Sequence, residues 1–166
     1  MVPGYHLEGP FLSALDGYRG CHPAEAMRPA DTAVFDRLNQ AAGGRIRLLT
    51  IAPEIPGALA LIRHARGLGV AVALGHTAAD RAVVAAAAEA GASLSTHLGN
   101  GTPKLLPRGD NTVMAQLAED RLHASFIADG IPIPAGTLRV YMRAKELRRC
   151  VLVTDATAAA AAPPGD

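Results

Sequence analysis

Short apolar runs recur along the chain, each followed by a polar or glycine-rich turn and then by a stretch with helical spacing. "MVPGYHLEGP" reads as a strand ending near Leu7-Glu8, and residues 31–44 read as a helix capped by Asp31 and stopped by the glycine pair Gly43-Gly44. Residues 45–53 ("RIRLLTIAP") form the next predicted strand, and residues 55–69 the next helix, with Gly67 and Gly69 as stop signals. "VAVALGH" (70–76) is a strand, and residues 77–91 are a helix with Thr77 as N-cap and Asp80 at the third helical position. "ASLSTHL" (92–98), "RLHASFIADG" (121–130) and "RCVLVTDAT" (149–157) are predicted strands, with helices over 111–120 and 134–147 between them. The low-complexity tail "AAAAAPPGD" reads as an interrupted loop.

The predicted strands are continuous runs of Val, Ile and Leu rather than alternating patterns, as expected where helices cover a sheet. Regular strand–helix alternation implies a parallel sheet, which is either a doubly wound sheet or part of a (β/α)8 barrel. No linker divides the 166 residues, so the chain reads as one domain over 1–166.

Composition narrows the function classes. The hydrophobic fraction of 49% allows a substantial core, and the net charge of +1 with no Lys/Arg stripe argues against a nucleic-acid partner. No apolar run approaches the roughly 20 residues of a membrane span, and the N-terminal residues lack the basic and apolar regions of a signal peptide. Two distant cysteines, Cys21 and Cys150, give no disulfide framework and fit a reducing cytoplasm.

Polar residues gather where the predicted strands end: Glu8, Glu54, His76, His97, Asp129 and Asp155. Catalytic groups collect at that end in barrels and ligands bind there in open α/β sheets. His76 and His97 end strands in successive units, and neighbouring parallel strands lie about 5 Å apart, so the two rings can converge on one cation. Two imidazoles and a carboxylate suit zinc or a similar divalent ion with a position left for water, and a further carboxylate such as Asp155 can take that water's proton. Each has a plainer reading. A lone strand-end histidine is usually a hydrogen-bonded loop residue, Asp155 can cap the following segment, and Asp129 in "ADG" reads as a turn residue. Glu54 reads as an acid at a helix N-terminus. His6 reads as buried and structural, and His64 and His123 as structural or exposed. "GNGTP" offers backbone donors to an anion, and His22 sits in a glycine-flanked loop able to reach over a site.

The segments "HLEGPFLSALDGYRGCHP", "TIAPE", "LGHTAAD", "STHLGNGTPKLLPRGDN", "FIADG" and "LVTDATAAAAAPPG" stand in an order that resembles the N-acetylglucosamine-6-phosphate deacetylases of the amidohydrolase superfamily. The resemblance implies a metal-dependent (β/α)8 barrel, here partial with about six of eight units, and hydrolysis of the acetamide of N-acetylglucosamine 6-phosphate to glucosamine 6-phosphate and acetate. It implies that Glu8, His76 and His97 hold one divalent metal ion, with zinc favoured over iron, cobalt or manganese, and that Asp155 is the catalytic acid/base. It also implies substrate contacts from His22, Asn100, Gly101 and Arg108. The implied partner is a small sugar phosphate; separately, the exposed strand edges of an unclosed sheet favour self-association of the chain.

The chain departs from the family pattern in two respects. A histidine in the family's "ADGxH" pattern is replaced by Pro132 in "ADGIPIP", which removes a ring nitrogen and a backbone donor. The strands correspond to the third through eighth of the family barrel, so the sequence reads as a fragment with two unpaired edges. The rival readings are another deacetylase of the superfamily, such as one acting on acylated amino acids, a catalytically inactive metal-binding fragment, and a doubly wound sheet with an unrelated hydrolase site.

Overall fold

A computed structural model describes residues 2–157 and residue 160; most of the alanine- and proline-rich tail lies outside the described residues. Six strands form one sheet: β1 (Tyr5–Glu8), β2 (Ile46–Ile51), β3 (Ala71–Leu74), β4 (Leu94–Ser95), β5 (His123–Ile127) and β6 (Cys150–Val153). Five helices alternate with them: α1 (Thr32–Ala41), α2 (Ala58–Gly67), α3 (Arg81–Ala90), α4 (Thr112–Leu117) and α5 (Ala135–Lys145). All pairings are parallel and the spatial order is β1-β2-β3-β4-β5-β6. A doubly wound sheet needs a point where strand order reverses; this order has none, which overturns that rival. Right-handed crossovers taken always in one direction put the helices on one face, and α1 to α5 touch in chain order.

Alternation along each strand sorts residues between two faces. Leu7, Leu49, Ile51, Val72 and Leu74 point to the helices and join Phe11, Phe35, Leu61, Ile62 and Val84 in the main core. A second cluster places Ala124 and Phe126 of β5 against Val113, Leu117 and Ile133, with Leu138 and Tyr141 packed at its margin. His6, Glu8, Leu48, Thr96 and Ser125 face the other way, into an open cavity of about 640 Å³ whose far wall includes β6. That β1 and β6 line one cavity shows that the sheet curls into a half-barrel. Each outer strand has one paired neighbour among the described residues, and Val151, Leu152 and Val153 of β6 are exposed. The open edges expected from the sequence are thus present.

Capping follows the sequence at α1, where Asp31 Oδ1 accepts from the backbone N–H of Ala33 and Val34. It differs at α3. The N-cap is Asp80, which accepts from Val83 N–H, and the helix starts at Arg81; the Thr77 hydroxyl donates to Glu54 and accepts from Ala79 N–H in a turn ahead of the helix. The predicted strand 92–98 is reduced to Leu94–Ser95, because the chain turns at His97, whose φ is 28°, and so leaves the ladder.

Candidate metal centre

The end of β1 and the loops after β3 and β4 deliver three side chains to one point. Glu8 ends β1, His76 stands two residues beyond β3, and His97 two beyond β4. His76 Nε2 lies 2.8 Å and His97 Nε2 3.2 Å from the same oxygen, Glu8 Oε1. One donor atom from each of the three residues falls within 4.8 Å of the others, a grouping that could hold a metal ion. His76 and His97 are buried, and Glu8 is partly buried.

Backbone conformation sets their aim. His76, His97 and Asp155 have φ of 50°, 28° and 53°, in the left-handed region that costs a residue with a Cβ about 1–2 kcal/mol. Strain of this kind clusters at functional sites and persists only where surrounding contacts hold it. For His76 these contacts are visible. Its carbonyl accepts from Ser13 N–H at 3.0 Å, and its ring lies against Gly20 and Gly101. A Cβ at Gly101 would stand 2.8 Å from the ring, and one at Gly20 2.9 Å. The backbone N–H of His97 donates to the Ser125 hydroxyl at 2.8 Å, which donates onward to the Ser95 carbonyl at 3.1 Å.

The chemistry of the donor set fits a cation. His76 Nδ1 is 2.8 Å from the Tyr18 carbonyl, which can only accept, so Nδ1 carries the proton. In the neutral ring, Nε2 then presents a lone pair to an anionic carboxylate oxygen. Two acceptors at 2.8 Å need a second proton or a cation between them, and a histidine anchored through its other nitrogen is the usual arrangement of a metal ligand. His97 Nδ1 is buried with no partner among the described residues.

Electrostatics point the same way. Burial disfavours the charged carboxylate of Glu8, but the hydrogen bonds and charges of His76 and His97 outweigh it and hold the group far below the ordinary carboxylate range. His97 is disfavoured as a cation by burial, yet contact with Glu8 and attraction to Glu8 and Asp155 raise its pKa. His6 is lowered, chiefly because the groups around its ring displace part of its hydration.

The other expected residues fall around this centre at different distances. His22 Nε2 is 3.6 Å from Glu8 Oε1, and its ring meets that of His76 edge-on at 4.7 Å. Asp155 Oδ2 lies 4.0 Å from His97 Nε2, on the open side of the cavity. Asn100 N–H donates to the His97 carbonyl at 2.8 Å, tying the glycine-rich loop to the ligand turn. Arg108 is exposed on the loop before α4. Asp129 Oδ1 accepts from Ile131 N–H at 2.8 Å, the turn role expected for it.

Two expectations are corrected. His6 is not buried. It is exposed on the inner face and bonds Thr50 Oγ1 at 2.7 Å, because its strand faces the open cavity. Glu54 does not serve the N-terminus of α2, which begins at Ala58. It accepts from the Thr77 hydroxyl, and from Ala78 N–H at 2.7 Å, in the loop that follows His76. Glu54 stands three residues beyond the end of β2.

No family model matches the chain. An N-acetylglucosamine-6-phosphate deacetylase of Bacillus subtilis (strain 168) is 38% identical over 152 residues, covering 92% of this chain and 38% of that protein. An N-acetylgalactosamine-6-phosphate deacetylase of Escherichia coli O157:H7 is 39% identical over 165 residues, covering 99% of this chain and 43% of its own length. Both relatives are named as amino-sugar-phosphate deacetylases. The solved structure of a Mycobacterium smegmatis N-acetyl-D-glucosamine-6-phosphate deacetylase mutant, in complex with N-acetyl-D-glucosamine-6-phosphate, superposes with a TM-score of 0.87 at 36% identity, over 95% of this chain and 41% of that one. The chain therefore spans about two fifths of the length of the deacetylases it matches. Among the described residues no helix is long and apolar enough to cross a membrane.

Proposed function

We propose that this chain carries the metal-binding strand ends of a deacetylase that hydrolyses the acetamide of N-acetylglucosamine 6-phosphate, giving glucosamine 6-phosphate and acetate. The observation that carries the reading is the convergence of His76 Nε2 and His97 Nε2 on Glu8 Oε1, in a chain 38% identical to a protein named for that activity.

Glu8, His76 and His97 hold one divalent ion, with zinc favoured for a nitrogen and oxygen donor set and iron, cobalt or manganese accepted by the same atoms. Such an ion supplies Lewis acidity, which acidifies water and polarises an amide carbonyl. Asp155, beside His97 on the open side, accepts the proton of the attacking water and delivers it to the departing amine nitrogen. His22, whose Nε2 lies 3.6 Å from Glu8 Oε1, helps hold the substrate. Asn100, Gly101 and Arg108 bind the sugar and its phosphate, so that binding energy far from the amide holds the amide in place. The reading sets the reaction in a reducing cytoplasm, in keeping with free Cys21 and Cys150, and includes self-association through the open edges of β1 and β6.

A second substrate has its own support, since one relative is named for N-acetylgalactosamine 6-phosphate. Acetate release by zinc- or cobalt-loaded protein, measured with both phosphosugars and with unphosphorylated N-acetylglucosamine, decides between them. Release that depends on the phosphate and is fastest with the glucosamine epimer is expected. Metal uptake without acetate release overturns the enzymatic reading in favour of a metal-binding fragment.

A further inference from the structure

We propose that Glu54 and Thr77 form a clamp that aims His76, which makes Glu54 a positioning residue of the centre; the metal part of this inference rests on the reading above. The geometry begins at the end of β2. Glu54 Oε1 accepts from Ala78 N–H at 2.7 Å, and Oε2 accepts from the Thr77 hydroxyl. That hydroxyl in turn accepts from Ala79 N–H at 2.9 Å. One carboxylate therefore fixes, directly or through one oxygen, the three residues that follow His76.

This arrangement answers a mechanical need. At φ 50° the His76 backbone is held away from its preferred conformation, and relaxation toward a negative φ would swing the ring away from Glu8. The peptide joining His76 to Thr77 is held by Ser13 N–H, which donates to the His76 carbonyl, the preceding residue by Gly75 N–H, which donates to the Ile51 carbonyl, and the ring by the Tyr18 carbonyl. Beyond that peptide, Glu54 supplies the hydrogen bonds that hold Thr77 and Ala78 to a different strand end, ahead of the Asp80 cap of α3. Thr77 is 2% exposed, so its hydroxyl has no access to solvent as an alternative partner and stays committed to the clamp. A carboxylate is suited to the task because it accepts at both oxygens at once, and charge-assisted bonds to backbone N–H groups are among the stronger ones.

The test uses Glu54→Ala, Thr77→Val, which keeps the side-chain shape and deletes the hydroxyl, and Thr77→Ser, which keeps the hydroxyl. Two readouts are taken on the whole chain: cobalt affinity, and the ¹⁵N shifts of the His76 ring in metal-free protein. Partners that orient a metal-binding histidine typically contribute about 10–100-fold in affinity. Glu54→Ala and Thr77→Val are expected to lose about 10-fold or more and to change the His76 shifts as the ring leaves its Tyr18 anchor. Thr77→Ser is expected to match the wild type in both. If both deletions fold with wild-type affinity and wild-type His76 shifts, the clamp does not aim the ring. Failure of Thr77→Val to fold also overturns the proposal, since the hydroxyl would then serve folding and not aim. If the wild type takes up no cobalt, the metal reading fails, and the ring shifts alone decide the clamp.

Discussion

His76 donates its Nδ1 proton to the Tyr18 carbonyl at 2.8 Å, and in the neutral ring that bond leaves the other nitrogen as a lone pair aimed at Glu8. The loop contributing Tyr18 lies 58 positions earlier in the chain, so the tautomer of this histidine is a property of the fold. A site whose ligands are fixed in this way binds a cation without first rearranging, and each supporting contact becomes a measurable contribution.

Glu8→Gln removes the anionic donor shared by both imidazoles. A direct ligand should matter more than an orienting partner, so zinc or cobalt affinity is expected to fall by more than about 100-fold. Competition against a chelator of known affinity measures it. Affinity within tenfold of wild type would show that the three residues do not share an ion.

The pH dependence has a definite sign. In the metal-free protein Glu8 has a depressed pKa, so its contribution to stability is present above its ordinary value of 4.5 and is lost as pH falls through the depressed value. His97 has a raised pKa, so its contribution is fully present below 6.5 and is lost as pH rises through the raised value. A metal requires the neutral ring. Metal affinity should therefore drop as pH falls through the raised His97 pKa, with proton release on binding that calorimetry in buffers of different ionisation enthalpy detects. Glu8→Gln should bring the His97 titration, followed by NMR, to lower pH.

Gly101→Ala places a Cβ 2.8 Å from the His76 ring at a φ of +57°. The left-handed conformation alone should cost about 1–2 kcal/mol in urea denaturation, and metal affinity should fall as the ring is displaced. Unchanged affinity would mean that the ring has room to spare.

Asp155→Asn is expected to leave metal uptake intact and to lower acetate release by about 10²–10⁴-fold, the range typical for loss of a positioned acid/base. Metal content and turnover measured on the same preparation check both halves. Lost uptake would make Asp155 part of the metal-binding set instead.

Lys145 is buried, and its ammonium donates to the Gln116 carbonyl at 2.8 Å and the Glu119 carbonyl at 2.6 Å, at and beyond the C-terminal end of α4. Lys145→Met leaves these acceptors without their donor, and a loss of about 1–3 kcal/mol is expected. Urea denaturation should show it with metal affinity unchanged, since α5 lies away from the centre.

The alternation of strands and helices, the six-unit count and the gathering of Glu8, His76, His97 and Asp155 at strand ends were legible in the sequence. Period and composition report which face of an element is buried, and residue type reports which atoms can bind a cation. The choice between a doubly wound sheet and a barrel was not legible from that pattern, because both produce it; the unreversed strand order decides it. That Thr77 holds a turn ahead of α3 while Asp80 caps the helix was not legible, because its bond to Glu54 spans 23 positions, beyond any local signal. For the same reason the left-handed backbones of His76, His97 and Asp155, the close approach of Gly20 and Gly101, and the tautomer of His76 belong to the tertiary structure. Sequence alone determined the kinds of groups present and their order, since those are written residue by residue. Only the folded chain determined where their atoms point, because aim is fixed by contacts between segments far apart in the chain.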